Sequence, residues 1–376
     1  METRLDFKID LPEDVIKINK VFKTFGFDLF LVGGSVRDAY LGLKPKDWDL
    51  ATNAIPDKII EILKGQPFVT NILETGKAFG VINVITGNDE YEIATFREDG
   101  DYTDSRRPDE VIFSTIEKDV LRRDLTINAL FYDIEKSQIV DLVDGIYDLR
   151  FSEIRTVGEP IDRFNEDKLR KLRAIRFSAR FGFNMNSKTA GAITKDNNLI
   201  GVSPERIRDE FIKGVKTAKS VRQFLNSLFV YDMFKLIFPG LNIRHFNLIE
   251  VKSPIVLMAI IFEGNSPALV KKVLAELKYT SDEIGKIYFL MSFLYFEPNL
   301  VYNAKKSQIL SKISNDEVIR FAELNNMDIE LIDKFLDFKF TVTGEDIEKL
   351  GIKPGPEMGK KIHELELENF NKMLNE

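Results

Sequence analysis

Apolar and polar positions follow two different patterns along the chain. Up to about residue 150, short apolar runs lie between turn residues, with Gly87-Asn88 as one plausible turn, which predicts an α/β domain. The predicted strands span 29–32, 48–51, 80–85 and 91–96. The predicted helices span 11–26, 35–41, 56–64 and 117–131. Beyond about residue 160, almost every segment has helical spacing broken by prolines, which predicts an all-α region.

A glycine pair follows the first predicted strand. Gly33 and Gly34 lack Cβ, so the backbone can come close to a phosphate at the start of the next helix. Ser35 is predicted to cap that helix. Arg37 can reach the same phosphate with its charged fork. The segment therefore predicts a nucleotide phosphate site.

Two carboxylates follow at a spacing of two residues. Asp47 and Asp49 lie on a predicted strand, so both would project from one face. Two carboxylates beside a triphosphate predict a Mg²⁺ site for phosphoryl or nucleotidyl transfer. The same residues also fit a Gly-rich turn with a solvated acidic pair. Glu92 is the candidate third carboxylate, with Glu90 as the alternative on the same face, and either also fits an edge-strand charge.

Composition narrows the chemistry. The 376 residues allow two to four compact domains. The absence of cysteine excludes disulfides, a thiolate zinc site and a cysteine nucleophile. The only histidines are His245 and His363, which excludes a histidine-rich metal centre, and we assign neither a role. Any catalytic metal must therefore be held by oxygen ligands, which suits Mg²⁺. With no apolar run near the roughly 20 residues of a membrane span and no signal-peptide core at the start, we expect a cytoplasmic protein without a membrane partner.

Charge is unevenly distributed. The net charge is -7, yet residues 151–220 hold fifteen Lys and Arg against nine Asp and Glu. A basic block within an acidic chain predicts an RNA contact surface. A solvated helix face is the alternative explanation for the excess.

A second block contains Arg122-Arg123-Asp124 and Asn128. If the stretch is helical, Asp124 and Asn128 lie one turn apart on one face. A carboxylate and an amide at that spacing can hydrogen-bond the 2′- and 3′-hydroxyls of a ribose. Arg122 or Arg123 would add cationic contacts to phosphate, and for Arg123 a surface role at i,i+4 spacing is an equal alternative.

A third block, Glu166-Asp167-Lys168-Leu169-Arg170, completes an ordered set of motifs. In this order the blocks resemble those of the class II tRNA nucleotidyltransferases, the CCA-adding enzymes of bacteria and eukaryotes, within the polymerase-β-like superfamily. The likeness runs from about residue 28 to about residue 360. Other matching segments are Thr95-Phe96-Arg97, Tyr102, Asp104, Arg106-Arg107-Pro108, Ser203 to Ile207, Thr343 to Asp346 and Lys353 to Gly359.

The resemblance implies an elongated, multi-domain molecule. Its parts would be a catalytic nucleotidyltransferase head (1–150), a base-recognition neck (151–216), and a helical body (217–300) and tail (301–376) that bind tRNA. Its partners would be CTP, ATP and the 3′ end and acceptor/elbow region of tRNA, with Mg²⁺ as cofactor. The sequence leaves the oligomeric state open.

The resemblance also assigns base selection to Asp167 and Arg170 acting in place of a template strand. Asp167 only accepts hydrogen bonds and Arg170 only donates them. Cytosine and adenine present an amino donor beside a ring-nitrogen acceptor, so both match, whereas uracil and guanine present the reverse. Glu166 would orient Arg170. Arg173 and Arg176 continue the basic face toward the triphosphate.

The charged segment 95–119 helps to decide which activity within the family this chain would have. It matches the family's flexible loop, which is shortened in CC-adding relatives but not here, and this favours complete CCA addition or A addition. A bacterial poly(A) polymerase is the nearest rival, although the acidic stretch Glu364 to Asn369 departs from that pattern. A non-catalytic RNA-binding homologue is the third reading. The intact pair Asp47 and Asp49 argues against it, because clustered carboxylates repel each other without a metal.

Overall fold

The computed structural model describes residues 2–87, 89–99, 111–243 and 250–375. Several residues named above lie outside the described residues: Asn88, Tyr102, Asp104, Arg106, Arg107, Pro108 and His245. Within the described residues, no helix is both long and apolar enough to span a bilayer.

The strands form one large mixed sheet and two small ones. The large sheet has the order β1-β10-β9-β2-β3-β6-β5-β4, and its only parallel pair among the described residues is β3 with β6. Strands β7 and β8 pair with each other, as do β11 and β12. The strands are β1 (Thr3–Asp6), β2 (Leu29–Val32), β3 (Leu50–Thr52), β4 (Asn71–Leu73), β5 (Val81–Thr86), β6 (Asp89–Thr95), β7 (Arg97–Asp99), β8 (Val111–Phe113), β9 (Phe131–Asp133), β10 (Gln138–Asp141), β11 (Glu153–Ile154) and β12 (Asn184–Met185).

Helices flank the sheet and make up most of the chain beyond it. Short 3₁₀ turns lie at Lys77–Phe79, Thr126–Asn128 and Pro298–Leu300. The helices are α1 (Glu13–Thr24), α2 (Gly34–Tyr40), α3 (Pro56–Leu63), α4 (Ile116–Leu121), α5 (Gly145–Phe151), α6 (Pro160–Glu166), α7 (Leu169–Phe181), α8 (Ser187–Lys195), α9 (Pro204–Thr217), α10 (Val221–Val230), α11 (Met233–Ile237), α12 (Pro254–Ile261), α13 (Pro267–Glu276), α14 (Ser281–Phe293), α15 (Val301–Ser311), α16 (Asn315–Leu324), α17 (Ile329–Asp337), α18 (Gly344–Lys349) and α19 (Pro356–Asn375).

The predicted fold class is confirmed: a mixed-sheet α/β domain precedes a helical region. The strand predicted at 29–32 has the same ends in the structure. The helix predicted over 117–131 is wrong, because α4 ends at Leu121 and the chain then passes through a 3₁₀ turn into β9. Apart from the exposed Leu121, the apolar residues of that stretch are buried in both the helix and the segment that follows it, so their spacing does not mark one face of a single helix.

A buried cluster lies beneath the end of β2. Val32, Ala51, Phe131 and Val140 come from four strands of the large sheet, with Phe96 directly after β6. The rings of Phe96 and Phe131 meet edge to face at 6.1 Å. This packing fixes the ends of β2, β3 and β9, where the predicted site residues lie.

The chain divides into two compact units. One consists of Met1–Ser203 and Val230–Met233, and the other of Pro204–Phe229 and Phe234–Glu376. The first unit contains the large sheet and α7, and therefore every residue predicted for catalysis or nucleotide binding. The second is helical in its described part. The four-part division expected from the sequence stays a prediction.

Candidate nucleotide-binding and catalytic site

The glycine pair lies between two guanidinium groups. Gly33 has a φ of 70°, a conformation that residues with a side chain rarely adopt. A Cβ at Gly33 would lie 3.4 Å from Arg123 Nη1, and one at Gly34 would lie 3.3 Å from Arg37 Nη2. Because both glycines lack a side chain, the guanidinium of Arg123 can approach the backbone at Gly33 and that of Arg37 can approach it at Gly34. This arrangement suits an anion such as a phosphate.

The predicted capping role of Ser35 is wrong. Helix α2 begins at Gly34 with Gly33 as its N-cap residue, and no side chain caps it. Ser35 is inside the helix, where its hydroxyl donates to the carbonyl oxygen of Val32 at 2.9 Å. The bond ties α2 back to the strand that precedes the glycine pair.

Arg37 is buried and held on several sides. Its Nε donates to Asp38 Oδ1 at 2.8 Å, its Nη1 donates to Asn128 Oδ1, and it is 3% exposed. The guanidinium also lies 5.1 Å from the ring centre of Phe177 and 4.9 Å from that of Phe181. Burial lowers the pKa of Arg37 to about 10, against the opposing charge of Asp38, so the group stays protonated at neutral pH. The predicted phosphate ligand therefore also joins α2 to α7.

Asp47 and Asp49 lie just before β3 instead of on it, which corrects the predicted strand at 48–51. The carbonyl oxygen of Asp49 nevertheless accepts a hydrogen bond from Val32 N at 2.9 Å and extends the pairing with β2. Leu50 is the register partner of Ile93 in the parallel pair of β3 with β6. Asp49 directly precedes Leu50 and Glu92 directly precedes Ile93, so Asp49 lies beside Glu92, whose pKa its charge raises.

Glu92 fits the role of third carboxylate better than Glu90. The side chain of Glu90 accepts a hydrogen bond from Asn83 Nδ2 at 2.6 Å. The carboxylate of Glu92, by contrast, has no hydrogen-bond or ion-pair partner among the described residues. Its pKa is raised by partial burial and then by the negative charge of Asp49.

The carboxylate cluster fits a divalent cation. Partial burial raises the pKa of Asp49, the charge of Asp47 raises it further, and Arg123 opposes the rise. The side chains of Asp47 and Asp49 also lack a hydrogen-bond or ion-pair partner within the part of the chain that the structure describes. No group of three His, Asp or Glu side chains there is close enough to enclose an ion by itself. The donors therefore fit a cation that completes its shell with phosphate oxygens and water, as Mg²⁺ usually does.

Asp124 and Asn128 meet although the chain between them is not a regular helix. Asn128 Nδ2 donates to Asp124 Oδ1 at 3.2 Å. Arg173 Nε donates to Asp124 Oδ2 at 2.7 Å, and Leu125 N donates to Oδ1 at 2.8 Å. Burial opposes the charge of Asp124, but Arg173 and these hydrogen bonds lower its pKa to about 2. The carboxylate is a fixed acceptor that joins Asn128 to Arg173.

Arg123 is the residue that the sequence left undecided. Its guanidinium lies 4.8 Å from the ring centre of Phe131 and pairs with Asp119 at 2.9 Å. Arg122 pairs with the same carboxylate at 2.7 Å. The spacing of Asp119 to both arginines, three and four residues, was the sequence signal for this cluster. The surface role considered for Arg123 does not fit its buried contacts.

Asp167 and Arg170 do not share one helix face, because α6 ends at Glu166 and α7 begins at Leu169. Asp167 lies in the junction, where its Oδ1 accepts a hydrogen bond from Leu169 N at 3.0 Å. Arg170 is 8% exposed, and its Nη1 donates to Glu166 Oε2 at 2.6 Å. Glu166 is thus in place to orient Arg170. The junction brings Asp167 close to Arg170 by a tight turn, with Arg170 N donating to the carbonyl oxygen of Asp167 at 3.0 Å.

Arg173 and Arg176 surround one aromatic ring. Their guanidinium carbons lie 5.6 Å and 4.1 Å from the ring centre of Phe177, on which Arg37 also packs. Arg176 is 6% exposed. The ring of Phe177 therefore packs against three cations, one from α2 and two from α7, and cation–π contacts offset their mutual repulsion.

Comparisons with known proteins assign the chain to a family. Two family models match, the "Poly A polymerase head domain" over residues 29–155 and the "Probable RNA and SrmB-binding site of polymerase A" over residues 182–243. A CCA-adding enzyme of Pediococcus pentosaceus is 33% identical over 96% of this chain and 94% of the relative. A CCA-adding enzyme of Lactobacillus helveticus is 40% identical over 60% of this chain and 57% of the relative, so that match spans little more than half of each.

The fold agrees with these matches. The solved CCA-adding enzyme of Bacillus stearothermophilus in complex with CTP has a TM-score of 0.74 to this structure, covering 96% of this chain and 93% of that one. Because the two sequences are only 23% identical, this likeness supports the fold and nothing further. The resemblance stated from the sequence motifs is confirmed: the chain belongs to the family of CCA-adding enzymes, which are tRNA nucleotidyltransferases.

Proposed function

We propose that the protein adds C, C and A to the 3′ end of tRNA from CTP and ATP, releasing pyrophosphate and using no nucleic-acid template. The observation that carries this proposal is the meeting of three features in one compact unit. They are the glycine pair between two guanidinium groups, the neighbouring carboxylates of Asp49 and Glu92, and the Arg170 side chain held by Glu166. These features would bind the triphosphate, support transfer and read the base.

The carboxylates Asp47, Asp49 and Glu92 would hold a divalent cation, for which we propose Mg²⁺ because oxygen is its preferred ligand. When bound, the ion lowers the pKa of the attacking 3′-hydroxyl and neutralises charge on the leaving pyrophosphate. Arg37 and Arg123 flank the glycine pair and would orient the triphosphate with Gly33 and Gly34. Asp124 and Asn128 would contact the ribose hydroxyls. Arg173 and Arg176 add positive charge on the same side.

Base selection would rest on Asp167 and Arg170. Asp167 accepts from the amino group of cytosine or adenine, and Arg170 donates to the ring nitrogen beside it. Uracil and guanine would place an oxygen against the carboxylate and an N–H against the guanidinium. Glu166 keeps the guanidinium in one orientation, with the pair at 2.6 Å. Orientation by a fixed partner is what a protein needs to replace a template base.

The second compact unit would carry much of the tRNA contact, and residues of the first unit would act on the 3′ end. We further propose that the protein works in the cytoplasm, where its tRNA substrate would be found. The curated relatives are named for CCA addition, and the solved relative binds CTP. Both support complete CCA addition over A addition alone or poly(A) synthesis.

The decisive experiment is nucleotide incorporation with Mg²⁺ into tRNA transcripts that end at the discriminator base, at C and at CC. CTP and ATP are supplied singly and together, and an unrelated RNA serves as the control. Growth by CCA followed by arrest is the expected result. ATP added only to the CC-ending transcript would make the protein an A-adding enzyme, and long A tracts on any RNA would make it a poly(A) polymerase.

A variant separates catalysis from binding. Replacing Asp47 and Asp49 by alanine should abolish incorporation while tRNA binding, measured by gel shift, persists. Unchanged incorporation would refute the metal assignment. Binding without incorporation by the unaltered protein would favour the non-catalytic reading.

A further inference from the structure

One buried carboxylate holds both arginines of the Arg122-Arg123 pair. Asp119, on α4, is 1% exposed. Its Oδ1 accepts from Arg122 Nε at 2.9 Å and pairs with Arg122 Nη2 at 2.7 Å. Its Oδ2 accepts from Arg123 Nε at 3.2 Å and Nη2 at 2.9 Å. Each arginine therefore faces one oxygen through two N–H groups, which fixes the direction of both guanidinium planes.

The arginines lead from Asp119 to two different parts of the site. Arg123 Nη1 lies 3.4 Å from the position of a Cβ on Gly33 and donates to the carbonyl oxygen of Asn128 at 3.4 Å. The main-chain oxygen of Arg122 accepts a hydrogen bond from Arg170 Nη2 at 2.9 Å. The contacts of Asp119 through Arg123 thus reach the glycine pair, and those through Arg122 reach Arg170, the residue that would read the base.

We propose that Asp119 is a positioning residue for nucleotidyl transfer, which sets Arg123 against the glycine pair and the Arg122 backbone against Arg170. This inference rests on the proposed function. It makes one carboxylate, which touches no substrate itself, the common support of triphosphate binding and base selection. The backbone N–H of Arg97, the first residue of β7, also donates to Asp119 Oδ1 at 3.3 Å.

The chemistry requires a carboxylate at this position. Aspartate accepts hydrogen bonds on both oxygens, so it serves both arginines at once. Asparagine has one acceptor oxygen, and its amide N–H groups would face the other guanidinium. Asparagine would therefore release one arginine and leave two neighbouring half-buried cations without the carboxylate that they share. Glutamate keeps both acceptors on a longer side chain.

The test compares Asp119→Asn with the unaltered protein in single-nucleotide incorporation into CC-ending and C-ending transcripts. Asp119→Asn should lower kcat/KM for the correct nucleotide by about tenfold to a hundredfold, as expected for lost charged hydrogen bonds. The preference for CTP over UTP should fall by about tenfold at the same time. Asp133→Asn is the matched control, since Asp133 is 9% exposed and ion-paired in the same unit but lies at the far end of β9.

Two further variants keep the test independent of folding. Asp119→Glu should recover part of kcat/KM relative to Asp119→Asn at equal thermal stability. The double variant Asp119→Asn with Arg123→Lys should lose less kcat/KM than the product of the two single losses, because part of the Asp119 effect would pass through Arg123, while the route through Arg122 remains. The inference would be overturned if the kcat/KM loss of the double variant equalled the full product of the two single losses. It would also be overturned if, at equal Tm, the preference for CTP over UTP changed no more in Asp119→Asn than in Asp133→Asn. Failure of the unaltered protein to incorporate nucleotides would refute the proposed function instead.

Discussion

Arg173 on α7 donates from Nε to Oδ2 of Asp124 at 2.7 Å, a contact that joins positions 49 residues apart. Asp124 also accepts from Asn128, which in turn accepts from Arg37 beside the glycine pair. A continuous line of hydrogen bonds therefore runs from the glycine-pair helix α2 to α7. The residues proposed to bind ribose and phosphate are thus fixed by one another before any substrate arrives.

The first prediction concerns the acid stability of this contact. The pKa of Asp124 is lowered to about 2, below its value in the unfolded chain. Its stabilising contribution, about 2 kcal/mol for a shift of this size, is therefore present at neutral pH. It is lost as the pH falls from about 4 through 2. Asp124→Asn should lower the free energy of unfolding at pH 7 and flatten its dependence on pH below 4, as measured by urea denaturation.

Asp162→Asn is the control for that measurement, because Asp162 is exposed on α6 of the same unit. It should leave both the stability at pH 7 and the acid slope unchanged. The prediction would be contradicted if the free energy of unfolding fell equally steeply with pH below 4 in the unaltered protein and in Asp124→Asn.

The second prediction is that Asp49→Asn separates activity from stability. The pKa of Asp49 is raised by partial burial and by Asp47, so its charge is unfavourable in the metal-free protein above that pKa. Neutralising the side chain should leave the metal-free Tm at pH 8 equal or higher. Incorporation should fall by at least about a thousandfold, because several kcal/mol of charge stabilisation by the cation is lost.

The raised pKa also gives a pH dependence. Cation binding needs the ionised carboxylate, so the Mg²⁺ concentration for half-maximal activity should rise as the pH falls toward the raised pKa. Glu61→Gln, exposed on α3, should follow the unaltered protein in both measurements. A clear fall in the metal-free Tm of Asp49→Asn would count against the carboxylate repulsion argued here.

The third prediction concerns base choice. Asp167→Ala removes the acceptor that would meet the amino group of cytosine or adenine, while the bond between Arg170 and Glu166 remains. Loss of one charged hydrogen bond should reduce the preference for CTP over UTP by about tenfold to a hundredfold, or abolish turnover. The ratio of kcat/KM values for the two nucleotides is the measurement. Asp162→Ala serves as control, and undiminished discrimination in Asp167→Ala would rule out the protein template.

The fourth prediction tests packing in the helical unit. A Cβ at Gly214 in α9 would lie 2.1 Å from the ring of Phe224, so Gly214→Ala should destabilise this unit by about 1–3 kcal/mol. Gly285 in α14 of the same unit has its nearest neighbour, Ser311 Cα, at 3.8 Å. Gly285→Ala should therefore stabilise by about 0.5–1 kcal/mol through helix propensity. Thermal unfolding of both variants checks the pair, and equal shifts in one direction would contradict it.

Local patterns were sufficient for the fold class and the family. The apolar run at 29–32, the glycine pair and the acidic pair depend on neighbouring residues only, and the strand at 29–32 follows from the first of them. The order of the motif blocks identified the family because order along the chain needs no knowledge of contacts. The predicted element boundaries were wrong at 117–131, where α4 ends at Leu121 and a 3₁₀ turn follows. Apolar residues in such a segment are buried by several neighbouring elements, so their helical spacing does not mean that they form one face of a helix.

What the sequence by itself determined is the set of reactive groups: oxygen ligands without cysteine, a glycine pair, and arginines near carboxylates. The tertiary structure decided their partners. Register in the parallel pair of β3 and β6 set Glu92 beside Asp49, and the approach of α7 to α2 gave Arg37 its aromatic contacts. The spacing of Asp119 to the two arginines is visible in the sequence, but only its burial and hydrogen bonds show that it holds both of them. Hydrogen bonds and charge effects depend on distances of a few ångströms between segments that are far apart in the chain, and only the packed sheet and helices fix those distances.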